Sequence, residues 1–273
     1  MEALKRDHEV VGIDKYVPEG GTGVAADITQ RKDTLQSIVN AGPSVVVHTA
    51  AETDVDRCET ERDLARRVNV QGTVNVADAC SKIGAKLMFV STDYVFDGNK
   101  GNYAETDEPN PASFYGLTKL EAERITASTS SNSLIVRTSV LYGWHPKKLN
   151  FATWILKGLR QGKTLEVVND HIGSPTLADN LAEAIGKAIE RKSQGILHIA
   201  GKERMSWFDF ARRIAKRFDL DESLLLPVQM KDLDWVARRP RDSSLNVGKA
   251  EKELSIELFG VDRGLEEMAR SKS

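Results

Sequence analysis

Short apolar runs alternate with amphipathic helical stretches along most of this chain, and that alternation limits the folds open to it more than any other feature. The strand candidates are residues 9–13, 44–48, 86–90, 134–138 and 196–199. Val/Ile-rich runs of this length suit parallel strands buried on both faces. Between them lie amphipathic stretches at 33–40, 61–83, 115–127 and 181–190. Strands alternating with helices predict right-handed βαβ units and an α/β, doubly wound parallel sheet of the Rossmann type. Past Arg137 the loops lengthen and aromatics gather: Tyr142, Trp144, Phe151, Trp154, Trp207, Phe208, Phe210 and Trp235. They predict a smaller carboxyl-terminal lobe over the sheet edge. The boundaries expected are 1–140 plus 177–200 for the nucleotide-binding domain and 141–176 plus 201–273 for the substrate lobe.

The 273 residues suffice for one large domain or a domain with a small lobe. A formal net charge of −2 argues against a dedicated nucleic-acid binder. No run of about 18 apolar residues is present, so no membrane helix is expected, and the charged first residues lack the apolar segment of a signal peptide. Cys58 and Cys80 fit no metal or redox spacing. Two unpaired thiols suggest a reducing, cytoplasmic setting. The histidines show no ligand spacing, so no protein-bound metal is expected. In the helix after Ser206, Arg212, Arg213, Lys216 and Arg217 read as a solvated face rather than an anion site.

Two motifs carry chemistry. Ser91-Thr92-Asp93-Tyr94-Val95-Phe96-Asp97-Gly98 follows the apolar run 86–90, which puts the Thr92 hydroxyl at the carboxyl end of a strand, where open α/β sheets bind ligands. Tyr115-Gly116-Leu117-Thr118-Lys119 is a Tyr-x-x-x-Lys. Residues four apart share a helix face. A lysine beside a phenol is expected to lower the phenol pKa and make Tyr115 a usable proton donor. Either motif alone is weak, since any surface helix can carry Tyr-x-x-x-Lys by chance.

Together the motifs resemble the extended short-chain dehydrogenase/reductase superfamily, and the full octapeptide resembles its dTDP-4-dehydrorhamnose reductase family. Other segments extend the likeness. His48-Thr49-Ala50-Ala51-Glu52-Thr53-Asp54-Val55-Asp56 is similar to the family's segment after the third strand, with His48 where an Asn is usual. Arg137-Thr138-Ser139-Val140-Leu141-Tyr142-Gly143 has Val140 in place of a Trp. Asn150-Phe151, Asn169-Asp170-His171-Ile172-Gly173-Ser174-Pro175-Thr176 and the stretch Arg238-Arg239-Pro240-Arg241-Asp242-Ser243-Ser244-Leu245-Asn246 resemble its substrate-lobe signatures. The resemblance implies Thr92, Tyr115 and Lys119 as catalytic residues. For the cofactor it implies Asp14, Asp27, Ile28, Ala50, Ala51, Thr53 and Asn69 besides Tyr115 and Lys119. For the nucleotide-sugar it implies Tyr94, Asn150, Asp170 and Arg239, the last through a planar fork suited to a diphosphate. Asp14 would favour NADH through the ribose 2′-hydroxyl, while Lys15 could accept the 2′-phosphate of NADPH, so both remain open. A homodimer is possible.

One expected part is missing. A dinucleotide fold opens with a strand, a glycine-rich loop and a helix amino-terminus that holds the pyrophosphate, with an acidic residue about 20 positions later. Counting back from Asp14 runs off the chain, so the first strand and the loop are expected before Met1. A start assigned too far downstream is the preferred explanation; true loss of cofactor binding is the other. On the first, this product is expected to be less stable and to bind NAD(P) weakly. Gly21-Thr22-Gly23-Val24-Ala25-Ala26 matches Gly-x-Gly-x-x-Ala but follows the wrong strand and reads as a surface loop. The activity implied is NAD(P)H-dependent reduction of the 4-keto group of dTDP-4-dehydro-L-rhamnose. A nucleotide-sugar epimerase or dehydratase of the same superfamily, and a non-catalytic regulatory subunit like that of methionine adenosyltransferase, are the alternatives.

Overall fold

The computed structural model describes residues 4–17, 23–145 and 149–271. The first paired strands are two residues each, Ile13–Asp14 (β1) and Val24–Ala25 (β2), parallel to one another. They are followed by α1 (Arg31–Ala41), β3 (Val45–His48), α2 (Val55–Thr60), α3 (Arg62–Ala65), α4 (Gly72–Ile83), β4 (Lys86–Thr92), α5 (Phe114–Thr129) and β5 (Leu134–Thr138). The main sheet is fully parallel. β4 lies between β3 and β5, and Gly195–His198 pairs on the far side of β5. This is the expected doubly wound α/β arrangement. Successive strand residues face opposite sides of a sheet, and β4 shows it: Leu87 joins Ile38 of α1 and Val76 of α4 on one face. Met88 joins Val136, Leu181, Ala184, Ile185 and Leu197 on the other. Both faces are therefore covered, as parallel strands require.

The expected strand at 9–13 shortens to Ile13–Asp14, because its partner β2 offers only two residues of ladder and Val11 is largely exposed. Among the described residues no strand joins β1 and β2 to the edge of β3, so the pair stands as a separate ribbon. Gly21 and Thr22 of the glycine decoy lie outside the described residues. Gly23 leads into β2 and not into a helix, so the segment is no phosphate cradle, but its second half is a paired strand with Ala26 buried rather than the surface loop expected.

The long helix expected at 61–83 is present over Arg62–Ile83. Glu61, at φ −113° and ψ 58°, separates it from α2. α3 and α4 are joined without a break by Arg66–Gln71, which is π-helical. Such wide turns re-aim side chains. Here the turn aims Asn69 at the loop after β3, where its Oδ1 accepts from the Glu52 N–H at 2.8 Å. Its Nδ2 donates to the Glu52 carbonyl at 3.1 Å and to Thr118 Oγ1 at 3.0 Å.

The carboxyl-terminal lobe has its own core. Tyr142 and Phe210 pack with Ile155 and Leu156 of α6 (Phe151–Arg160), Ile214 of α8 (Trp207–Arg217) and Leu265. Between these helices in the chain, α7 (Ala178–Glu190) returns to the main sheet, and Leu245, Val247, Leu254 and Leu258 join it there. The basic face of α8 is ion-paired as a solvated face should be, Arg212 with Glu222 and Arg213 with Asp262.

Candidate active site

β4 ends at Thr92 and α5 begins at Phe114, and their meeting builds the site. Ser113 caps α5 by accepting from the Gly116 N–H. Gly116 lies so close to the Tyr94 carbonyl that a Cβ there would stand 2.1 Å from its oxygen. The missing side chain lets the first turn of α5 press against the loop after β4, and Tyr115 and Thr92 face the same cavity. The Tyr94 ring meets Tyr115 edge-on at 5.8 Å. Thr92, Asp93, Tyr115 and Lys119 line one cavity of about 1050 Å³ at the carboxyl ends of the strands. Thr49, Ala51, Thr53, Ser139, Val140 and Asn150 line it as well. The volume lies at the upper end for small-molecule sites, which suits two ligands side by side. Trp144, Trp154, Trp207 and Trp235 form its lobe-side wall.

Lys119 shares the Tyr115 face, yet it does not lower the phenol as the spacing predicts. Its ammonium donates to the Val90 carbonyl at 2.8 Å and lies 4.1 Å from the centre of the Phe89 ring. Burial dominates instead. It holds Tyr115 well above the usual phenol range; Thr92 opposes this, and Asp93 and Cys58 add to it. Burial also pushes Lys119 down to about 7, against the pull of the Glu123 carboxylate. The site in this form therefore holds a firmly protonated phenol beside a lysine that titrates near neutrality.

The lysine has a consequence for stability. Its folded pKa lies below the unfolded value, so between about 7 and 10.5 the unfolded chain binds more protons and stability rises with pH. The penalty for burying the charge is full below pH 7. Lys119→Met should therefore raise the melting temperature. The gain, on the order of a few kcal/mol, should shrink as pH rises toward 10. Thermal melts across that pH range check it; a gain independent of pH would assign the effect to packing.

Other expected site residues are placed less directly. His48 is a packed strand residue, as expected: its ring nitrogen meets Thr73 Oγ1 at 3.1 Å, and burial, then Lys119, holds it down at about 3, so it is neutral. Asp14, Asp27, Ile28 and Ala50 do not line the cavity. Asp14 Oδ1 accepts from the Tyr16 N–H; Asp27 accepts from Thr29 and pairs with Lys15 at 3.0 Å; Ile28 packs against Gly72. Asn69 commits both amide atoms to Glu52 and Thr118, so it fixes the loop that carries Ala51 and Thr53 rather than facing the cavity. Asn150 caps α6 and donates to the Gly143 carbonyl at 2.6 Å. Asp170 accepts from the Met230 N–H at 2.8 Å, away from the cavity lining. Both arms of the Arg239 fork are engaged by Asp56, at 2.7 and 2.9 Å, and its guanidinium stacks on Trp235. A diphosphate would have to displace that carboxylate.

Val140 sits on the cavity wall at φ +36°, an uncommon conformation for a β-branched residue. Asp93 was legible only as part of the Ser-Thr-Asp triplet, and its partners Ser139 and Ser243 were not. Its carboxylate takes hydroxyl hydrogens from Thr92 at 3.2 Å, Ser139 at 2.9 Å and Ser243. Burial pushes it up to about 6 despite those donors. Cys58 and Cys80 are buried, and burial pushes both thiols up to about 12, so neither is a reactive thiolate.

The family model for the RmlD substrate binding domain matches residues 1–273. A dTDP-4-dehydrorhamnose reductase from Aggregatibacter actinomycetemcomitans is 34% identical over 252 residues, covering 88% of this chain and 85% of its own length. Among solved structures, dTDP-4-dehydrorhamnose reductase from Bacillus anthracis in complex with NADP superposes with a TM-score of 0.88 at 31% identity, over 99% of this chain and 94% of that one. A hypothetical dTDP-4-dehydrorhamnose reductase from Sulfolobus tokodaii gives 0.87 at 36% identity, over 96% and 93%.

Proposed function

Because the chain belongs to the RmlD substrate-binding-domain family, we propose that it reduces the 4-keto group of dTDP-4-dehydro-L-rhamnose to dTDP-L-rhamnose. NADPH or NADH, when bound, supplies the hydride. The observation that carries this reading is the convergence of Thr92, Tyr115 and Lys119 on one cavity at the carboxyl ends of β4 and β5.

The nicotinamide half of a cofactor fits the residues present. Ala51 is small enough for close approach, Thr53 and the Lys119 ammonium offer polar contacts, and all three line the cavity with Tyr115. Among the described residues no glycine loop stands ahead of β1 to cradle the pyrophosphate. The sugar would lie between Tyr115 and the tryptophan wall. Tyr115 protonates the carbonyl oxygen as charge develops there, and acid catalysis of this kind contributes about 10²–10⁴-fold. Thr92 hydrogen-bonds the same oxygen and orients it. Burial serves this chemistry, because a phenol with a raised pKa arrives with its proton and gives it up only as the oxygen becomes basic.

The test is NADPH or NADH oxidation by the purified protein with dTDP-4-dehydro-L-rhamnose, with dTDP-L-rhamnose identified as product. Turnover without added reductant, with nucleotide retained through purification, would instead indicate an epimerase or dehydratase. Co-purification with a synthetase and no turnover would indicate a regulatory subunit.

A further inference from the structure

The hydroxyls around the carboxyl ends of β4 and β5 mostly have partners within the fold. Thr92, Ser139 and Ser243 donate to Asp93, and Ser91 donates to Glu123. Thr138 differs. It closes β5, is 6% exposed and lines the cavity, yet its hydroxyl is shielded from water and has no hydrogen-bond partner among the described residues. Buried polar groups are nearly always paired, and an unpaired one costs stability. An orphan hydroxyl on the wall of a ligand cavity therefore points to a partner that arrives with the ligand.

The sheet register says which part of the ligand that is. Thr138 is the ladder partner of Thr92 across β4 and β5. Val90 and Val136, two residues before each, pack with Leu181 in one core, so the two threonines share that face of the sheet. Neighbouring strands stand about 4.8 Å apart, and two hydroxyls at that spacing can each reach one of two vicinal oxygens. In the reduction proposed above, Thr92 bonds the 4-keto oxygen. The keto carbon has two ring neighbours: C5, which carries the methyl group, and C3, which carries a hydroxyl. We propose that Thr138 is a substrate-binding residue that hydrogen-bonds the 3-hydroxyl of the sugar and selects sugars oxygenated there. Both groups donate and accept, so the bond forms whichever way the two protons point. Because Thr138 already lines the cavity, a turn about χ1 between staggered wells is enough to present its oxygen.

This inference rests on the reductase reading for the identity of the sugar. Thr138→Val keeps the side-chain shape and removes the oxygen. It should lower kcat/KM for the 4-keto sugar about tenfold, the worth of one hydrogen bond. The loss should fall on KM, because the 3-hydroxyl does not react. With the 3-deoxy analogue of the substrate, the wild-type protein should show the same loss and Thr138→Val no further one. Calorimetry should find dTDP-L-rhamnose bound about tenfold more weakly by Thr138→Val, and dTDP, which has no sugar at its diphosphate, bound equally by both proteins. Thr138→Ser restores the oxygen and should restore the affinity. The melting temperature of Thr138→Val should hold or rise, since no bond of the free protein is lost. Equal affinity of Thr138→Val and wild type for dTDP-L-rhamnose would overturn the proposal, as would an added loss on the 3-deoxy analogue. A lowered melting temperature with weaker dTDP binding would overturn it too, by assigning the hydroxyl to the fold. Wild-type protein that binds dTDP-L-rhamnose through Thr138 but turns nothing over would count against the reaction and leave the contact standing.

Discussion

Tyr115→Phe should lower turnover by about 10²–10⁴-fold and leave cofactor affinity near that of the unaltered protein. The substitution removes one oxygen. The ring keeps its edge-on contact with Tyr94 and its packing against Cys58 and Ala65, so the first turn of α5 has no reason to move. Binding and chemistry therefore separate: the hydride donor still reaches the cavity, but the oxygen that gathers charge has only Thr92 to bond. The loss should fall on kcat and on kcat/KM alike, the pattern of an interaction made in the transition state. Steady-state NADPH oxidation gives the rate, and fluorescence titration of the nucleotide gives the affinity. Unchanged turnover would remove Tyr115 from the acid role. A loss of affinity matching the loss of rate would show that the hydroxyl serves binding instead.

What was legible in the sequence follows from how far each feature depends on distant residues. β3, β4 and β5 were readable because parallel strands buried on both faces need continuous Val, Ile and Leu, and β5 was found at its observed bounds. The helix carrying Tyr115 and Lys119 was readable from spacing. The direction of the phenol shift was not, because four-residue spacing says nothing of burial, and burial outweighs the neighbouring ammonium. The wide turn between α3 and α4 was hidden for a similar reason. The π-helical turn is held by Asn69 reaching Glu52 and Thr118, 17 and 49 positions away. The ties that organise the site span further still: Asp93 meets Ser139 across 46 positions and Ser243 across 150, and Arg239 meets Asp56 across 183. A motif shows that such residues are present and leaves open which of them touch.

The second large effect is on stability. Arg137→Met should cost about 3–5 kcal/mol, the usual result of orphaning one member of a buried ion pair. Arg137 on β5 and Glu123 on α5 are 2% and 4% exposed and are joined by two bonds, of 2.9 and 2.7 Å. Ser91 Oγ donates to the same carboxylate at 2.5 Å. On its other side Arg137 meets His198 Nε2 at 3.5 Å and lies over the Phe96 ring. His198 Nδ1 is 3.0 Å from the Tyr103 carbonyl, which assigns the ring proton to Nδ1 and leaves Nε2 as the acceptor. Burial holds that histidine down at about 3, so it adds no second charge. Methionine fills much of the arginine's volume but leaves the Glu123 charge with one hydroxyl donor in a dry core. Against a total stability of about 5–15 kcal/mol for a domain, the variant should be marginal. Adding Glu123→Leu removes the orphan and should restore most of the loss, since replacing both partners is often neutral or better. Urea denaturation of the two single variants and the double gives the coupling. A double variant no more stable than Arg137→Met would locate the loss in packing around Phe96 and His198 rather than in the stranded carboxylate. Glu123 also stands one turn from Lys119 and acts on its charge. The double variant should therefore recover stability without recovering full turnover, separating what the pair does for the fold from what it does for the site.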